Sequence, residues 1–220
     1  MTMMRVPRSN FRLRRIVVVL AVVMALAGAA LTATTSPASA LPLVPNCGAR
    51  ASSPVFAPWG DSNPYFPVAN SGFESGSSEW KLTDAAAVEP GNESFNVADP
   101  TDAHSLAIPA GGQATSPTTC VAMGENTVRL FVKSSGTGPS SLHIQAFVQN
   151  ALTGIVLSRG FDVSANDGTQ EWSPTAAFGV PNLLGGAVGV QRLTLVFTTR
   201  GASTGSWSID DVYVDPFKLR

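Results

Sequence analysis

From Gly72 onward, short runs of β-prone residues alternate with turn signals built from Gly, Pro, Asn and Ser. The clearest run is Ser141–Asn150, in which apolar and polar positions alternate as they do in a strand with one buried face. One face would carry Leu142, Ile144, Ala146 and Val148, and the other His143, Gln145, Phe147 and Gln149. No stretch shows a sustained helical period. The pattern predicts two antiparallel sheets with about eight or nine strands, an all-β sandwich.

Two features predict which elements form the core of this sandwich. Ser206–Val214 is rich in β-branched residues and contains neither Pro nor Gly, so we expect it to pair inside a sheet. Trp80, Trp172 and Trp207 each lie among β-prone residues, and we expect them to be buried because large aromatic side chains dominate core burial.

Residues 1–40 have the three-part pattern of a secretory signal peptide. Met1–Arg15 holds five Arg and no acid, Ile16–Leu31 is apolar, and Ala38-Ser39-Ala40 forms an A-x-A cleavage pattern. The alternative is a retained membrane anchor, but sixteen apolar residues span about 24 Å of a hydrocarbon core that is roughly 30 Å thick. We therefore expect cleavage after Ala40 and a secreted, extracellular chain that is free of the membrane.

Residues 41–69 are rich in proline, which cannot donate a hydrogen bond to a ladder or continue a helix. They predict an extended arm lying on a domain formed by residues 70–220. The apolar anchors of this arm would be Phe56, Trp59, Tyr65 and Phe66.

Charge and cysteine content restrict the function and the compartment. Residues 41–220 contain nine Lys and Arg against fifteen Asp and Glu, which argues against nucleic-acid binding. Cys47 and Cys120 are the two cysteines, and in an exported chain an even number of cysteines predicts a disulfide; the alternative is two buried thiols. We expect a monomer.

Catalytic motifs are weak in this sequence. Gly201–Gly205 matches G-x-S-x-G, but a nucleophile elbow lies between a strand and a helix, and here the motif joins two strand patterns. A triad would need His104 or His143 as its base, but His104 lies in a polar loop pattern and His143 alternates along a strand. The two His do not have the spacing of a zinc-binding pair. We therefore predict no enzymatic activity, with a hydrolase as a minor alternative.

Two segments carry a resemblance to a known family. Asn70–Gly76 (NSGFESG), followed by Trp80, resembles the opening of CenC-like carbohydrate-binding modules, and Gly205–Val214 resembles their final strand. The resemblance covers about residues 70–215 and implies a jelly-roll β-sandwich of the galactose-binding-like type. Taken whole, the chain resembles secreted proteins of high-GC Gram-positive, actinobacterial species.

The resemblance also implies a structural calcium ion where the first strand meets the last. The matching residues are Glu74, Asp210 and Asp211, and only one of the two successive Asp would point to the ion. The alternative is that one Asp caps a bend while the other faces solvent. No other cofactor is expected.

The leading hypothesis is a secreted, non-catalytic module that binds carbohydrate or cell-envelope glycan. A sugar site needs an aromatic platform and hydrogen-bonding groups, and one sheet face could supply them from Arg129, Phe131, His143, Gln145, Phe147 and Gln149. The alternative is that the arm covers Phe131 and Phe147. The second hypothesis is a structural or protein-interaction domain of the cell surface that uses the arm and Val180–Val188 as contacts.

Overall fold

The computed structural model describes residues 47–122, 125, 127–136, 138–165, 169–181, 190–201 and 205–215. The predicted signal peptide, most of Val180–Val188 and the centre of the Gly201–Gly205 turn lie outside the described residues. Within the described ranges, no helix has the length and hydropathy needed to cross a membrane.

Nearly all regular structure in these ranges is β-strand, and every pair of named strands is antiparallel. Helical structure in the described chain is limited to 3₁₀ turns, of which Ala57–Trp59 is described in full. The strands are β1 Phe66–Pro67, β2 Lys81–Thr83, β3 Ala87–Pro90, β4 His104–Pro109, β5 Gln113–Thr115, β6 Thr119–Val121, β7 Thr127–Ser135, β8 Ser140–Asn150, β9 Val156–Ser164, β10 Ser173–Pro174, β11 Phe178–Gly179, β12 Gln191–Gly201 and β13 Ser206–Asp215. The all-β prediction is confirmed. The strand number was underestimated because strands of two or three residues extend both sheets.

The strands form two sheets that pack face to face. The seven-stranded sheet runs β10-β7-β13-β4-β3, with β1 also on β13 and β11 also on β7. The six-stranded sheet runs β2-β5-β12-β8-β9, with β6 also on β12. The long strands β7 and β8 are consecutive in sequence but belong to different sheets, and this crossing decides where the candidate site residues lie.

The alternation in β8 places one apolar face in the core, as predicted. Leu142, Ile144, Ala146 and Val148 are fully buried, and β12 runs beside them over eleven residue pairs. The core also contains Val128, Leu130 and Val132 of β7 from the facing sheet. Burying each such aliphatic side chain contributes about 1.5–3 kcal/mol, so this two-sheet core is the main source of stability.

Two of the three predicted tryptophans lie in this core. Trp207 in β13 is fully buried, and the Trp80 ring lies 4.9 Å from the Phe73 ring and 5.9 Å from the Phe197 ring, centroid to centroid. The Trp80 indole also donates to the Ala69 carbonyl at 3.1 Å. Trp172 is only partly buried, and it packs against a second cluster formed by residues of the arm, β7 and β13.

Strand β13 pairs inside the seven-stranded sheet, between β7 and β4, as its composition predicted. Its register with β7 shifts between Asp210 and Tyr213, and Asp211 has a positive φ of 48°. This bulge breaks the alternation of a regular strand. Asp210 and Asp211 are consequently both buried, instead of pointing to opposite faces with one in solvent.

The described part of the arm lies on the outer face of the seven-stranded sheet. Phe56 and Tyr65 form a second buried cluster with Phe131 and Tyr213. Phe66 belongs instead to the main core and to β1, so the last residues of the arm are part of the sandwich.

A disulfide joins the beginning of the described arm to β6, which confirms the predicted pairing. The Sγ atoms of Cys47 and Cys120 are 2.13 Å apart, and their Cα atoms are 5.5 Å apart. Arg50 reinforces this attachment, because its guanidinium donates to the Cys120 carbonyl and to the Glu125 carboxylate. The same guanidinium lies 3.8 Å from the centroid of the Phe66 ring.

Candidate functional site

The outer face of the six-stranded sheet presents the polar side of β8. Opposite these positions, β12 contributes its own outward-facing residues, since directly paired residues point to the same side of a sheet. The outward pairs are His143 with Thr198, Gln145 with Val196, Phe147 with Thr194, and Gln149 with Arg192. Four of the six predicted ligand-binding residues therefore lie together in one row.

A shallow groove occupies one end of this face, with a volume of about 460 Å³. Its lining residues are Thr118, Phe147, Gln149, Val156, Arg192 and Thr194. Phe147 keeps 37% of its surface exposed, although it is a large apolar side chain in the middle of a sheet. An exposed ring surrounded by amide, hydroxyl and guanidinium groups can bind a ligand that has both an apolar face and polar edges.

A hydrogen-bonded row of side chains occupies the other end. His143 Nδ1 lies 2.9 Å from Asp162 Oδ1, and His143 Nε2 lies 3.3 Å from Gln145 Oε1. The Arg200 guanidinium is 3.8 Å from the same Asp162 oxygen. Gly160 makes room for the imidazole, because a Cβ atom there would lie 2.8 Å from His143 Cε1. His143 and Gln145 are therefore held in place beside the groove.

Arg129 and Phe131 do not belong to this face, and the expectation that all six residues share one face is wrong. Both lie on β7, whose outer face belongs to the opposite sheet and is covered by the arm. Phe131 is fully buried and stacks on Phe56 at 5.4 Å between ring centroids. The Arg129 guanidinium lies 4.1 Å over Phe56 and donates to Asp61 at 2.9 Å. The alternative that the arm covers the aromatic residue is therefore correct for Phe131, and it does not hold for the exposed Phe147.

The predicted cation ligands lie in a cluster of carboxylates around the β13 bulge. Asp210 Oδ2 accepts from the Glu93 backbone N–H at 2.9 Å, and Asp210 Oδ1 accepts from that of Asp211 at 2.9 Å. Gly72 makes room here, since a Cβ atom would lie 3.3 Å from Asp211 Oδ1 and 3.7 Å from Asp102 Oδ2. Glu93 and Asp102 also belong to this cluster, although no local sequence pattern marks them.

Neighbouring carboxylates in this cluster raise the pKa values of Asp210 and Asp211. Burial, followed by the charge of Asp211, raises the pKa of Asp210 to about 9. Burial, followed by the charges of Glu93, Asp102 and Glu74, raises the pKa of Asp211 to about 7. The cluster is therefore electrostatically frustrated unless protons or a cation neutralise it.

Glu74 is held by its own hydrogen bonds at the edge of this cluster. Its Oε1 accepts from the backbone N–H groups of Ala103 and His104, and its Oε2 lies 2.9 Å from His104 Nδ1. Among the residues that the structure describes, no group of three His, Cys, Asp or Glu side chains is arranged to hold a metal ion. Asp211 Oδ2, however, is buried without a hydrogen-bond partner in the described chain. A hard cation would fit at that oxygen only with backbone carbonyls or water as additional ligands.

Four further residues line the groove and were not predicted from the sequence: Arg192, Thr194, Thr118 and Val156. β12 shows the alternation that marks Arg192 and Thr194 as outward-facing, but sequence alone does not show that β12 lies next to β8. This pairing joins residues 41 (Asn150 and Gln191) to 61 (Ser140 and Gly201) positions apart and is set by the fold.

No protein-family model matches the chain, and no curated protein matches it. Similar solved structures include TmCBM61 in complex with β-1,4-galactotriose, with 16% identity, a TM-score of 0.44, and coverage of 67% of this chain and 95% of that chain. The CBM22-1 xylan-binding domain of Paenibacillus barcinonensis Xyn10C has 14% identity, a TM-score of 0.46, and coverage of 79% and 100%.

A similar structure with a longer chain is the CBM22-1–GH10 part of Clostridium thermocellum endo-1,4-β-D-xylanase 10B with xylohexaose, with 18% identity and a TM-score of 0.43. It covers 65% of this chain and 27% of that one. These structural neighbours are, or contain, carbohydrate-binding modules. At identities below 20% and TM-scores below 0.5, they assign neither a ligand nor an activity to this chain.

Proposed function

We propose that the protein is a secreted, non-catalytic module that binds glycan in the groove between β8, β9 and β12. The observation that carries this proposal is Phe147, an aromatic ring left 37% exposed on a sheet whose other outward positions are mostly polar. The Cys47–Cys120 disulfide supports secretion, because such bonds persist in oxidising compartments.

A sugar ring presents an apolar face of C–H groups and a rim of hydroxyl groups. Phe147 would bind the apolar face through dispersion and the removal of apolar surface from water. Gln149 and Thr194 flank the ring in the groove and can both donate to and accept from hydroxyl groups. Gln145, held by His143, adds a third such group next to the groove.

The experiment is a pull-down of the mature chain on insoluble polysaccharides and on purified Gram-positive cell wall. The proposal expects retention on at least one polymer and an at least tenfold weaker affinity for Phe147→Ala, the usual effect of removing a central aromatic contact. The matched control is Phe95→Ala, which removes a similarly exposed ring from the opposite side of the sandwich and should bind normally. Retention on no polymer would refute the proposal.

A protein-interaction function is the second candidate, and one observation favours it. The hairpin between β8 and β9 exposes a group of apolar side chains: Leu152, Ile155, Val156 and Leu157 are each at least 40% exposed. Substituting Leu152 and Ile155 with Ser would abolish a protein contact and spare glycan binding.

Release of reducing sugar from a polymer that retains the chain would instead indicate a hydrolase.

A structural cation at the carboxylate cluster is a separate proposal, supported by the unpartnered Asp211 oxygen. Asp211 and Asp102 would provide the side-chain oxygens, since both carboxylates lie against Gly72. Glu74 would act from the edge, because its oxygens already accept hydrogen bonds from Ala103 and His104. Such an ion would stabilise the bulge in β13 by neutralising the buried charges.

A further inference from the structure

The outer face of the six-stranded sheet has more basic than acidic residues, whereas residues 41–220 as a whole have more acidic than basic residues. Residues 41–220 carry nine Lys and Arg against fifteen Asp and Glu. Along the strands of this face, the outward-facing charged residues are three bases, Lys81, Arg192 and Arg200, and one acid, Asp162. The face therefore concentrates positive charge on a mildly acidic protein, a distribution that attracts anions.

Three of the described arginines have an acidic neighbour, and Arg192 has none among the described residues. Arg50 pairs with Glu125, Arg129 with Asp61, and Arg200 lies 3.8 Å from Asp162. Within the described residues, the Arg192 guanidinium forms no ion pair and no hydrogen bond, and it lies exposed at the groove. Its five N–H donors are available to a ligand.

Arg192 is positioned to act together with Phe147. On β12 it pairs directly with Gln149, and on the same face it is the diagonal neighbour of Phe147, which pairs with Thr194. Diagonal neighbours across two strands lie about 7–8 Å apart, within reach of a long side chain. A sugar ring on Phe147 would therefore place a substituent within reach of the guanidinium, and no carboxylate is among the described residues that line the groove.

We infer that the groove takes an acidic saccharide, with the sugar ring on Phe147 and its carboxylate or phosphate group on Arg192. This inference rests on the proposed glycan-binding function and specifies the chemical class of the ligand. A guanidinium presents a planar fork of donors that matches carboxylate and phosphate oxygens in pairs, whereas neutral hydroxyl groups need no such charge. A nucleic acid is a poor fit, because residues 41–220 are net acidic and the described lining of the groove contains one base.

The test measures affinity by calorimetry for four soluble polymers: polygalacturonate, a phosphomannan, and uronate-free xylan and galactan. Tighter binding to one or both anionic polymers is expected, and the preferred one identifies the anionic group. Arg192→Gln should weaken that binding about 10- to 100-fold, as expected for losing a charge-assisted pair of hydrogen bonds. Arg192→Lys should recover part of it, since it restores the charge without the fork.

The matched control is Arg200→Gln, which removes the same charge from the same strand outside the groove and should change affinity less than about twofold. Equal losses in Arg192→Gln and Arg200→Gln would show unspecific attraction and overturn the inference. Binding to xylan or galactan that Arg192→Gln leaves unchanged would overturn it too, while the proposed glycan-binding function stands. Binding to none of these four polymers, together with no retention on the insoluble polysaccharides or on cell wall, would refute both the inference and the proposed function.

Discussion

Phe56 of the arm stacks on Phe131 of β7, with ring planes 18° apart and centroids 5.4 Å apart. The Arg129 guanidinium lies on the same Phe56 ring at 4.1 Å, and Tyr213 meets it edge-on at 5.7 Å. The arm is therefore a packed part of the sandwich, and it covers Phe131 and Tyr213 on the outer face of the seven-stranded sheet. The four other predicted ligand-binding residues lie on the outer face of the six-stranded sheet.

Removing the Phe56 ring should destabilise the protein strongly. Phe56 is fully buried, so Phe56→Ala leaves a cavity among four aromatic neighbours and should cost about 3–5 kcal/mol of unfolding free energy. Denaturant unfolding measures this loss, with the exposed Phe147→Ala as the control, expected to change stability by less than about 1 kcal/mol. Equal stability of the two variants would show that the arm does not pack on the sheet.

Reduction of the disulfide should loosen the arm. The bridge closes a loop with a sequence separation of 73 residues, for which chain entropy predicts a contribution of at most about 4 kcal/mol. The double variant Cys47→Ser/Cys120→Ser should therefore melt at a lower temperature and be cleaved first within the arm by protease. Two free thiols in the secreted, denatured wild-type protein would contradict the pairing.

Stability without added cations should fall as pH rises. An unfolded Asp titrates near 3.9, whereas the pKa of Asp211 is raised to about 7 and that of Asp210 to about 9. The folded state thus binds more protons than the unfolded state across this interval. The stabilisation is complete below about pH 4 and is lost as pH rises through 7 and then 9. Thermal melting in chelator from pH 5 to pH 9 measures the trend, and a melting temperature that rises over this range would contradict it.

If the carboxylate cluster binds a cation, added calcium should offset the loss of stability at high pH. At pH 8 we expect added calcium to raise the melting temperature of the wild type and to leave Asp211→Asn unchanged. Asn suits the positive φ at this position, so the variant should fold. The control is Asp162→Asn, which removes an exposed carboxylate on the other sheet and should keep the calcium response. A wild type that does not respond to calcium would refute the cation proposal.

Local pattern was enough to predict the long strands β8 and β13 and the buried face of β8. β8 illustrates this, because its alternating residues correspond directly to buried and outward positions. The disulfide followed from composition and compartment. The two-residue strands could not be predicted: Pro67 and Pro174 disfavour pairing locally, and only their tertiary neighbours on β13 and β7 give them ladder partners.

The errors in the predicted ligand-binding site arise because local sequence does not show which sheet each strand joins. Arg129 and Phe131 have the same outward alternation in β7 as Phe147 has in β8, so local pattern cannot separate them. Because β7 and β8 belong to different sheets, the outward residues of β7 and Phe147 lie on opposite surfaces of the sandwich. Arg192 was missed for the converse reason, since its place beside Gln149 depends on a non-local strand pairing. The bulge at Asp211 likewise depends on tertiary contacts, including its hydrogen bond to the Ser71 carbonyl.

The location of the ligand is the central claim, and amide chemical shifts test it most directly. The probe is a mixture of oligosaccharides digested from the polymer that retains the protein, titrated into the isotopically labelled mature chain. We predict the largest shifts at Gln145, Phe147, Gln149, Arg192 and Thr194, with β7 and the arm unaffected. Shifts centred on the Leu152–Leu157 hairpin or on the arm, with Phe147 unchanged, would contradict the account.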